Sequence, residues 1–108
     1  YYALEGVGRL MSTIELVKES LNPELNVEGF VLTMFDRRTR LSYQVASEVN
    51  RHFGERTYQS IIPRNVRLSE SPSFGKPIIL YDRMCRGAHS YLDLAEEFLR
   101  AHTERMVA

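Results

Sequence analysis

Apolar side chains recur every three or four positions over the first 21 residues of the chain. This spacing predicts one face of an amphipathic helix of about 18 residues, which Asn22-Pro23 ends. The stripe consists of Leu4, Val7, Met11, Ile14, Val17 and Leu21. We expect it to pack in the core, and a subunit interface is the alternative interpretation.

The next stretch, Val27–Phe35, is almost continuously apolar and rich in β-branched and aromatic residues. That composition predicts a strand buried on both faces, as in parallel sheets. A polar loop, Asp36–Arg40, follows it. A second helix is then predicted by the spacing of Leu41, Val45, Val49 and Phe53, and Gly54 stops it.

The rest of the chain is expected to alternate in the same way. We predict a second strand over Arg56–Ile62, a short helical turn over Val66–Ser71, a third strand over Lys76–Tyr81 and a last helix over Arg86–His102. Alternating helices and strands imply an α/β fold with right-handed crossovers and a mostly parallel sheet of about three strands. Half of a doubly wound domain has this order.

Two loops, Asp36–Arg40 and Pro63–Gly75, each follow a predicted strand. Ligands of parallel α/β sheets bind beyond the carboxyl ends of the strands. We therefore expect both loops to lie at one edge of the sheet, in a binding position. The second loop is stiffened by proline and is basic.

Composition sets limits on this interpretation. The 108 residues suffice for one small domain, and the formal net charge is zero, so any binding of nucleic acid must come from a local patch. No apolar run approaches the length of about 18 residues that spans a bilayer. The single cysteine, Cys85, fits a reducing compartment. The chain opens on Tyr1 within a helical pattern, so we expect it to be a piece of a longer protein.

Four stretches of the sequence carry a family resemblance: "YYALEGVGRL", "TMFDRRTRLS", "IPRNVRLSESPSFGKPIILYD" and "RGAHSYLDLAEEFL". In this order they resemble the C-terminal part of the ParA/Soj chromosome-partitioning ATPases, deviant-Walker P-loop proteins related to MinD. The resemblance implies that residues 1–108 are a single fragment, the C-terminal half of a doubly wound P-loop sheet. No Gly-x4-Gly-Lys-[Ser/Thr] loop occurs in the sequence. We therefore assign no catalytic residue and expect no ATP hydrolysis by this piece alone.

The resemblance also implies a base-binding pocket. Asp36 would accept a hydrogen bond from the adenine amino group, while Pro63, Asn65 and Val66 would line the adenine pocket. The alternatives are that Asp36 caps the following helix and that Pro63 belongs to a plain strand-ending turn.

Arginines matching Arg38 and Arg67 support sequence-independent DNA binding in Soj-like proteins. Guanidinium groups bind phosphate oxygens in a bidentate manner, and Arg37, Arg40 and Arg64 would extend this patch. The alternative is a set of solvated surface arginines.

For the complete protein, the resemblance implies binding of ATP with Mg²⁺, homodimerisation, and non-specific binding to double-stranded DNA of the cytoplasmic nucleoid. A ParB-like partner would stimulate hydrolysis and release. One alternative is a non-enzymatic α/β module that binds nucleic acid or protein. Another is a MinD-like membrane-associated ATPase, which would need a basic amphipathic tail. "RAHTERMVA" is too short and polar for that, so no membrane partner is expected.

Three further features are given plainer interpretations. Cys85 and His89 lie four residues apart, but a metal site needs at least a third ligand, so none is expected. Gly6-Val7-Gly8 lies within the helical pattern and is interpreted as a packing contact. The Val27–Phe35 strand would normally pair with a strand outside this sequence, so we expect the isolated piece to self-associate through its open edge.

Overall fold

The computed structural model describes the backbone of residues 2–107 and the side chains of residues 5–104. The elements, in chain order, are α1 (Tyr2–Ser20), β1 (Phe30–Phe35), α2 (Arg40–Phe53), β2 (Thr57–Pro63), α3 (Val66–Glu70), α4 (Ile78–Tyr81) and α5 (Arg86–Val107). Short 3₁₀ turns occupy Gly54–Arg56 and Ser71–Phe74. The two strands form a parallel sheet, as the α/β prediction requires. No helix within this described part is long and apolar enough to cross a membrane.

The chain divides into two compact units. The first unit contains the chain up to Phe30 together with Thr39–Thr57, and the second contains Val31–Arg38 and the chain from Tyr58 onward. The sheet therefore belongs almost entirely to the second unit.

In the first unit, α1 packs against α2. The rings of Phe30 and Phe53 stack with their centroids 4.2 Å apart, and Val49 of α2 is buried. Thr39 caps α2, because its hydroxyl accepts a hydrogen bond from the Ser42 amide at 3.3 Å. Asp36 is therefore not the cap of this helix.

The helix predicted for the start of the chain is confirmed. Four members of its apolar stripe are half-buried, namely Val7, Met11, Ile14 and Val17. Leu4 lies outside the described side chains, and Leu21, just past the end of α1, is 81% exposed. Gly6 and Gly8 both lie inside α1, as predicted, but the interpretation as a packing contact is wrong, because a β-carbon at either position would meet none of the described atoms within 4 Å.

In the second unit, α5 is anchored to β2 through a carboxylate. Glu97 accepts hydrogen bonds from the backbone amides of Gln59 at 2.8 Å and Ser60 at 2.9 Å. The rings of Tyr58 and Phe98 lie next to each other, with centroids 6.5 Å apart. These contacts fix the long helix against the second strand.

The buried centre of this unit is small. Ile62 of β2, Ile78 of α4 and Ala88 of α5 supply its buried apolar side chains. Gly87 lets α5 approach α3 closely, since a β-carbon there would lie 2.5 Å from Cγ of Leu68. A side chain at this position would therefore require the Leu68 side chain to move.

The predicted third strand over Lys76–Tyr81 is wrong. Gly75 adopts a left-handed conformation with φ 63°, and the helix α4 begins just after Pro77. The Pro77 carbonyl accepts from the amides of Leu80 and Tyr81 at 3.0 Å each, which winds this apolar run into a helical turn. A short apolar run fits a buried strand or a buried helix equally well, so its sequence alone did not decide. The sheet thus has two strands within residues 2–107 rather than three.

The first strand is also shorter than predicted and is not buried on both faces. It begins at Phe30 rather than Val27, and Met34 within it is 67% exposed. A parallel strand is buried on both faces only where helices cover both faces of the sheet, and no side chain of β1 is buried here. Within the described residues β1 pairs only with β2, and self-association through its other edge stays a prediction.

The Glu97 anchor generates a pH-dependent prediction. Burial raises the pKa of Glu97, but the hydrogen bonds from Gln59 and Ser60 outweigh it and hold the pKa below its usual value. The carboxylate therefore stabilises the fold above the unfolded-state pKa of about 4.3, and this contribution is lost as pH falls through the lowered folded-state pKa. We expect Glu97→Gln to lower the free energy of unfolding at pH 7 by about 1–2 kcal/mol.

Urea unfolding at several pH values measures this effect. The difference between Glu97→Gln and the unsubstituted chain should shrink as the pH is lowered below about 4. Glu96→Gln, at the exposed neighbouring position, is the matched control and should have little effect. Equal effects of the two substitutions at neutral pH would contradict the anchor.

Candidate functional site

A cleft opens where the two strands of the second unit end. The amide of Arg64, just past β2, donates to the carbonyl of Phe35, the last residue of β1, at 3.0 Å. This bond joins the two strand exits, and the cleft beside them has a volume of about 630 Å³. The predicted meeting of the Asp36 and Pro63 loops at one edge of the sheet is therefore confirmed.

Most of the predicted site residues line this cleft. They are Asp36, Arg37, Arg38, Pro63, Arg64, Asn65 and Val66. Arg67 lies on α3 but does not line the cleft, and Arg40 is the first residue of α2, in the other unit. The geometry thus brings together all four predicted base contacts and three of the five predicted DNA contacts.

The sequence interpretation missed the contribution of α5. Arg86, His89 and Ser90, in the first turns of that helix, also line the cleft. Their spacing of three and four residues places them on one face of the helix. Strand-end reasoning gave no signal for them, because α5 follows the helical turn α4 rather than a strand.

Asp36 and Arg38, which both line the cleft, are joined by three hydrogen bonds. Oδ1 of Asp36 accepts from the backbone amide and Nε of Arg38, both at 3.0 Å, and Oδ2 accepts from Nη2 at 3.1 Å. Hydrogen bonds from Arg38, aided by the charges of Arg38 and Arg64, hold the pKa of Asp36 below its ordinary value. Asp36 is therefore an ionised carboxylate at neutral pH.

The backbone that presents Asp36 is unusual. Met34 has φ 54°, in the left-handed region that residues with side chains seldom adopt. Its position two residues before Asp36 breaks the regular course of β1 just before the cleft. The strand thus turns its last residues into the loop that carries the carboxylate.

The opposite wall of the cleft comes from the end of β2 and the start of α3. Pro63 closes β2, and the side chain of Asn65 caps α3 by accepting from the Leu68 amide at 3.2 Å. Val66 is 73% exposed, so its apolar surface faces solvent at the cleft. This wall is apolar at Pro63 and Val66, while the Asn65 oxygen is engaged within α3.

The charge of the cleft is strongly positive. Four arginines line it, namely Arg37, Arg38, Arg64 and Arg86, together with a single carboxylate, Asp36. Of these arginines, only Arg38 has an ion pair among the described side chains. A flat polar ligand and phosphate oxygens both suit such a lining.

Arg67 belongs to a separate cluster in the same unit. Its Nε lies 3.3 Å from Oδ2 of Asp82, and its Nη1 lies 3.5 Å from Oε2 of Glu70. The Tyr81 hydroxyl donates to the same Glu70 oxygen at 2.6 Å, and the ring of Tyr81 stacks on Phe74. Arg67 thus joins α3 to the segment that follows α4, in addition to any contact with a ligand.

Cys85 and His89 have local structural roles in the described part of the chain. The Cys85 sulfur accepts from the Ala88 amide at 3.4 Å, at the start of α5, and His89 lines the cleft. Among the side chains of residues 5–104, no three His, Cys, Asp or Glu groups lie close enough together to bind a metal ion.

Comparison with known proteins identifies the family. The family model described as the CobQ/CobB/MinD/ParA nucleotide binding domain matches residues 4–78. The chromosome partitioning protein ParA of Caulobacter vibrioides is 55% identical over 105 residues, which is 97% of this chain and 39% of that protein. The sporulation initiation inhibitor protein Soj of Bacillus subtilis is 58% identical over 97 residues, 90% of this chain and 38% of that protein.

A third relative agrees with these two. The chromosome-partitioning ATPase Soj of Thermus thermophilus is 50% identical over 99 residues, 92% of this chain and 40% of that protein. The chain therefore spans about two fifths of the length of the relatives it matches.

The Arg67 cluster generates a prediction about stability. Tyr81→Phe removes the hydroxyl that donates to Glu70, so we expect the melting temperature to fall by a few degrees. The hydrogen bond to Glu70, together with burial, raises the pKa of Tyr81. The contribution of this hydrogen bond to stability is therefore complete below the unfolded-state tyrosine pKa of about 10. It is lost as pH rises through the higher pKa of Tyr81 in the folded state.

Thermal unfolding at neutral pH measures the change. Tyr91→Phe, at a position of α5 that is 41% exposed, is the matched control. The interpretation fails if both substitutions shift the melting temperature equally.

Proposed function

The chain belongs to the CobQ/CobB/MinD/ParA nucleotide-binding domain family, in its ParA/Soj branch, and we propose that it is the C-terminal part of a chromosome- or plasmid-partitioning ATPase. In this proposal the complete protein binds ATP with Mg²⁺, forms a homodimer and binds double-stranded DNA without sequence preference in the cytoplasmic nucleoid. A ParB-like partner ends each cycle by stimulating hydrolysis. The names of the relatives and the coverage of about two fifths of their length support this assignment.

The cleft is proposed to hold the adenine base. Its apolar wall at Pro63 and Val66 suits the face of a flat ring, and the Asp36 carboxylate suits an exocyclic amino group as donor. The phosphate groups and Mg²⁺ would be bound by residues outside these 108, because the sequence contains no phosphate-binding loop.

The arginines at the cleft are proposed to contact DNA phosphates. Arg37, Arg38 and Arg64 lie together at the exits of the two strands, and the Arg38 side chain is 84% exposed. Backbone phosphate contacts carry no sequence information, which fits non-specific binding. Arg67 and Arg40 are proposed to contact DNA by resemblance alone.

The single observation that carries the proposal is the meeting of the two loops at one cleft. A cleft of about 630 Å³ and three arginines lie side by side, which supports a protein in which nucleotide and DNA influence each other. Two substitutions test the two halves of this arrangement separately.

Arg38→Ala in the full-length protein tests the DNA contact. We expect duplex affinity to fall several-fold at low salt, and the slope of log Kd against log salt to decrease by about one. Fluorescence anisotropy with duplexes of unrelated sequence measures both quantities. Arg9→Ala, which removes an arginine paired with an acid on α1, is the control. Equal affinities of wild type and Arg38→Ala would contradict this contact.

Val66→Asp in the full-length protein tests the base contact. The substitution replaces an apolar surface of the cleft with a charge that base binding would desolvate, so we expect ATP to bind about tenfold more weakly. Aspartate at the first position of a helix is favourable, so α3 should be retained. Leu80→Asp, at a position that is 71% exposed and outside the cleft, is the calorimetric control. Unchanged ATP affinity of Val66→Asp would place the base elsewhere.

A further inference from the structure

Asp36 is assigned to the base and Arg38 to DNA phosphate, yet the two side chains bind each other. Three hydrogen bonds of 3.0–3.1 Å link them, and both carboxylate oxygens take part. A base amino group that donates to Asp36 therefore has to share these oxygens with the Arg38 guanidinium.

The ion pair uses only part of the hydrogen-bonding capacity of the Arg38 guanidinium. A guanidinium has five N–H donors, and Asp36 takes one from Nε and one from Nη2. Three donors stay available for phosphate, but the two hydrogen bonds from Nε and Nη2 to Asp36 fix the direction in which these donors point. The negative charge of Asp36 also opposes the approach of a phosphate.

The two partners differ in their freedom to move. The Asp36 side chain is 16% exposed, whereas that of Arg38 is 84% exposed. Asp36 also feels the charge of Arg64, which lowers its pKa further. If the pair opens, the exposed guanidinium is therefore the partner that moves into solvent.

We propose that Asp36 is a positioning residue that holds Arg38 at the cleft, and that an amino-purine in the cleft competes with Arg38 for this carboxylate and frees it for phosphate. This inference rests on the proposed function, because it needs the cleft to take a base and Arg38 to contact DNA. Occupation of the cleft then strengthens DNA binding, and by thermodynamic linkage DNA strengthens occupation of the cleft by the same factor.

Two nucleosides of similar shape distinguish competition for Asp36 from mere occupation of the cleft. Adenosine carries an exocyclic amino group that can donate to Asp36. Inosine has nearly the same shape but presents a carbonyl oxygen at that position, which a carboxylate repels. Neither nucleoside has phosphates, so neither depends on a phosphate-binding loop or on an ATP-bound dimer.

Asp36→Asn in the full-length protein tests the restraint directly. Without nucleotide, we expect duplex DNA to bind about two- to fivefold more tightly than to wild type, because an exposed ion pair of this kind is released. The slope of log Kd against log salt should steepen at the same time, since Arg38 becomes a full phosphate partner. Asp93→Asn makes the same change of charge at an exposed position on α5, outside the cleft, and should leave the affinity close to that of wild type.

The DNA affinity is then measured with nucleosides present at millimolar concentration. A purely structural role of Asp36 predicts no effect of the nucleoside on this affinity. Adenosine should tighten DNA binding by wild type, while inosine should not. Adenosine should have no effect on Asp36→Asn, which has already lost the restraint, or on Arg38→Gln, which lacks the group to be released. Ligand-observed NMR establishes in each case that adenosine is bound.

The possible results separate this inference from the proposed function. If wild type binds DNA through Arg38 and binds adenosine, but adenosine leaves DNA affinity unchanged, the coupling is wrong and the proposed function stands. A decrease of DNA affinity in Asp36→Asn would also overturn it, because Asp36 would then orient Arg38 for phosphate. If wild type binds no adenosine, the coupling is wrong, and if it binds no duplex DNA even with ATP and Mg²⁺, the proposed function itself fails.

Discussion

The parallel pairing of β1 and β2 is the constraint on which the site depends. Parallel strands end at the same edge, so the residues that follow Phe35 and those that follow Pro63 meet although nearly thirty positions separate them along the chain. The bond from the Arg64 amide to the Phe35 carbonyl closes this edge. An antiparallel pairing would send the two loops to opposite ends of the sheet.

This constraint was accessible from the sequence, and other features were not. The order of apolar runs and helical stripes was enough to predict that the Asp36 and Pro63 loops meet. It could not predict that the run after Pro77 winds into a helix, because a few consecutive apolar residues carry no period. The cluster of Arg67, Tyr81 and Asp82 was missed for the same reason, since its geometry depends on that helix.

Ion pairing also lay beyond sequence reasoning. Asp36 and Arg38 are two positions apart, and nothing in their spacing indicates that they bind each other rather than separate ligands. The sequence also left open which residue caps α2, and the structure assigns that role to Thr39. The Asp36 carboxylate lines the cleft instead, where it binds Arg38.

The close approach of α5 to α3 affects how this part of the molecule can vary. Gly87 has room for no β-carbon while Leu68 occupies its present position. A related sequence with alanine or a larger residue at position 87 needs a smaller or differently oriented side chain at position 68. Positions 87 and 68 should therefore change together. Such paired replacement would show that side-chain volume, rather than charge, sets the distance between α5 and α3.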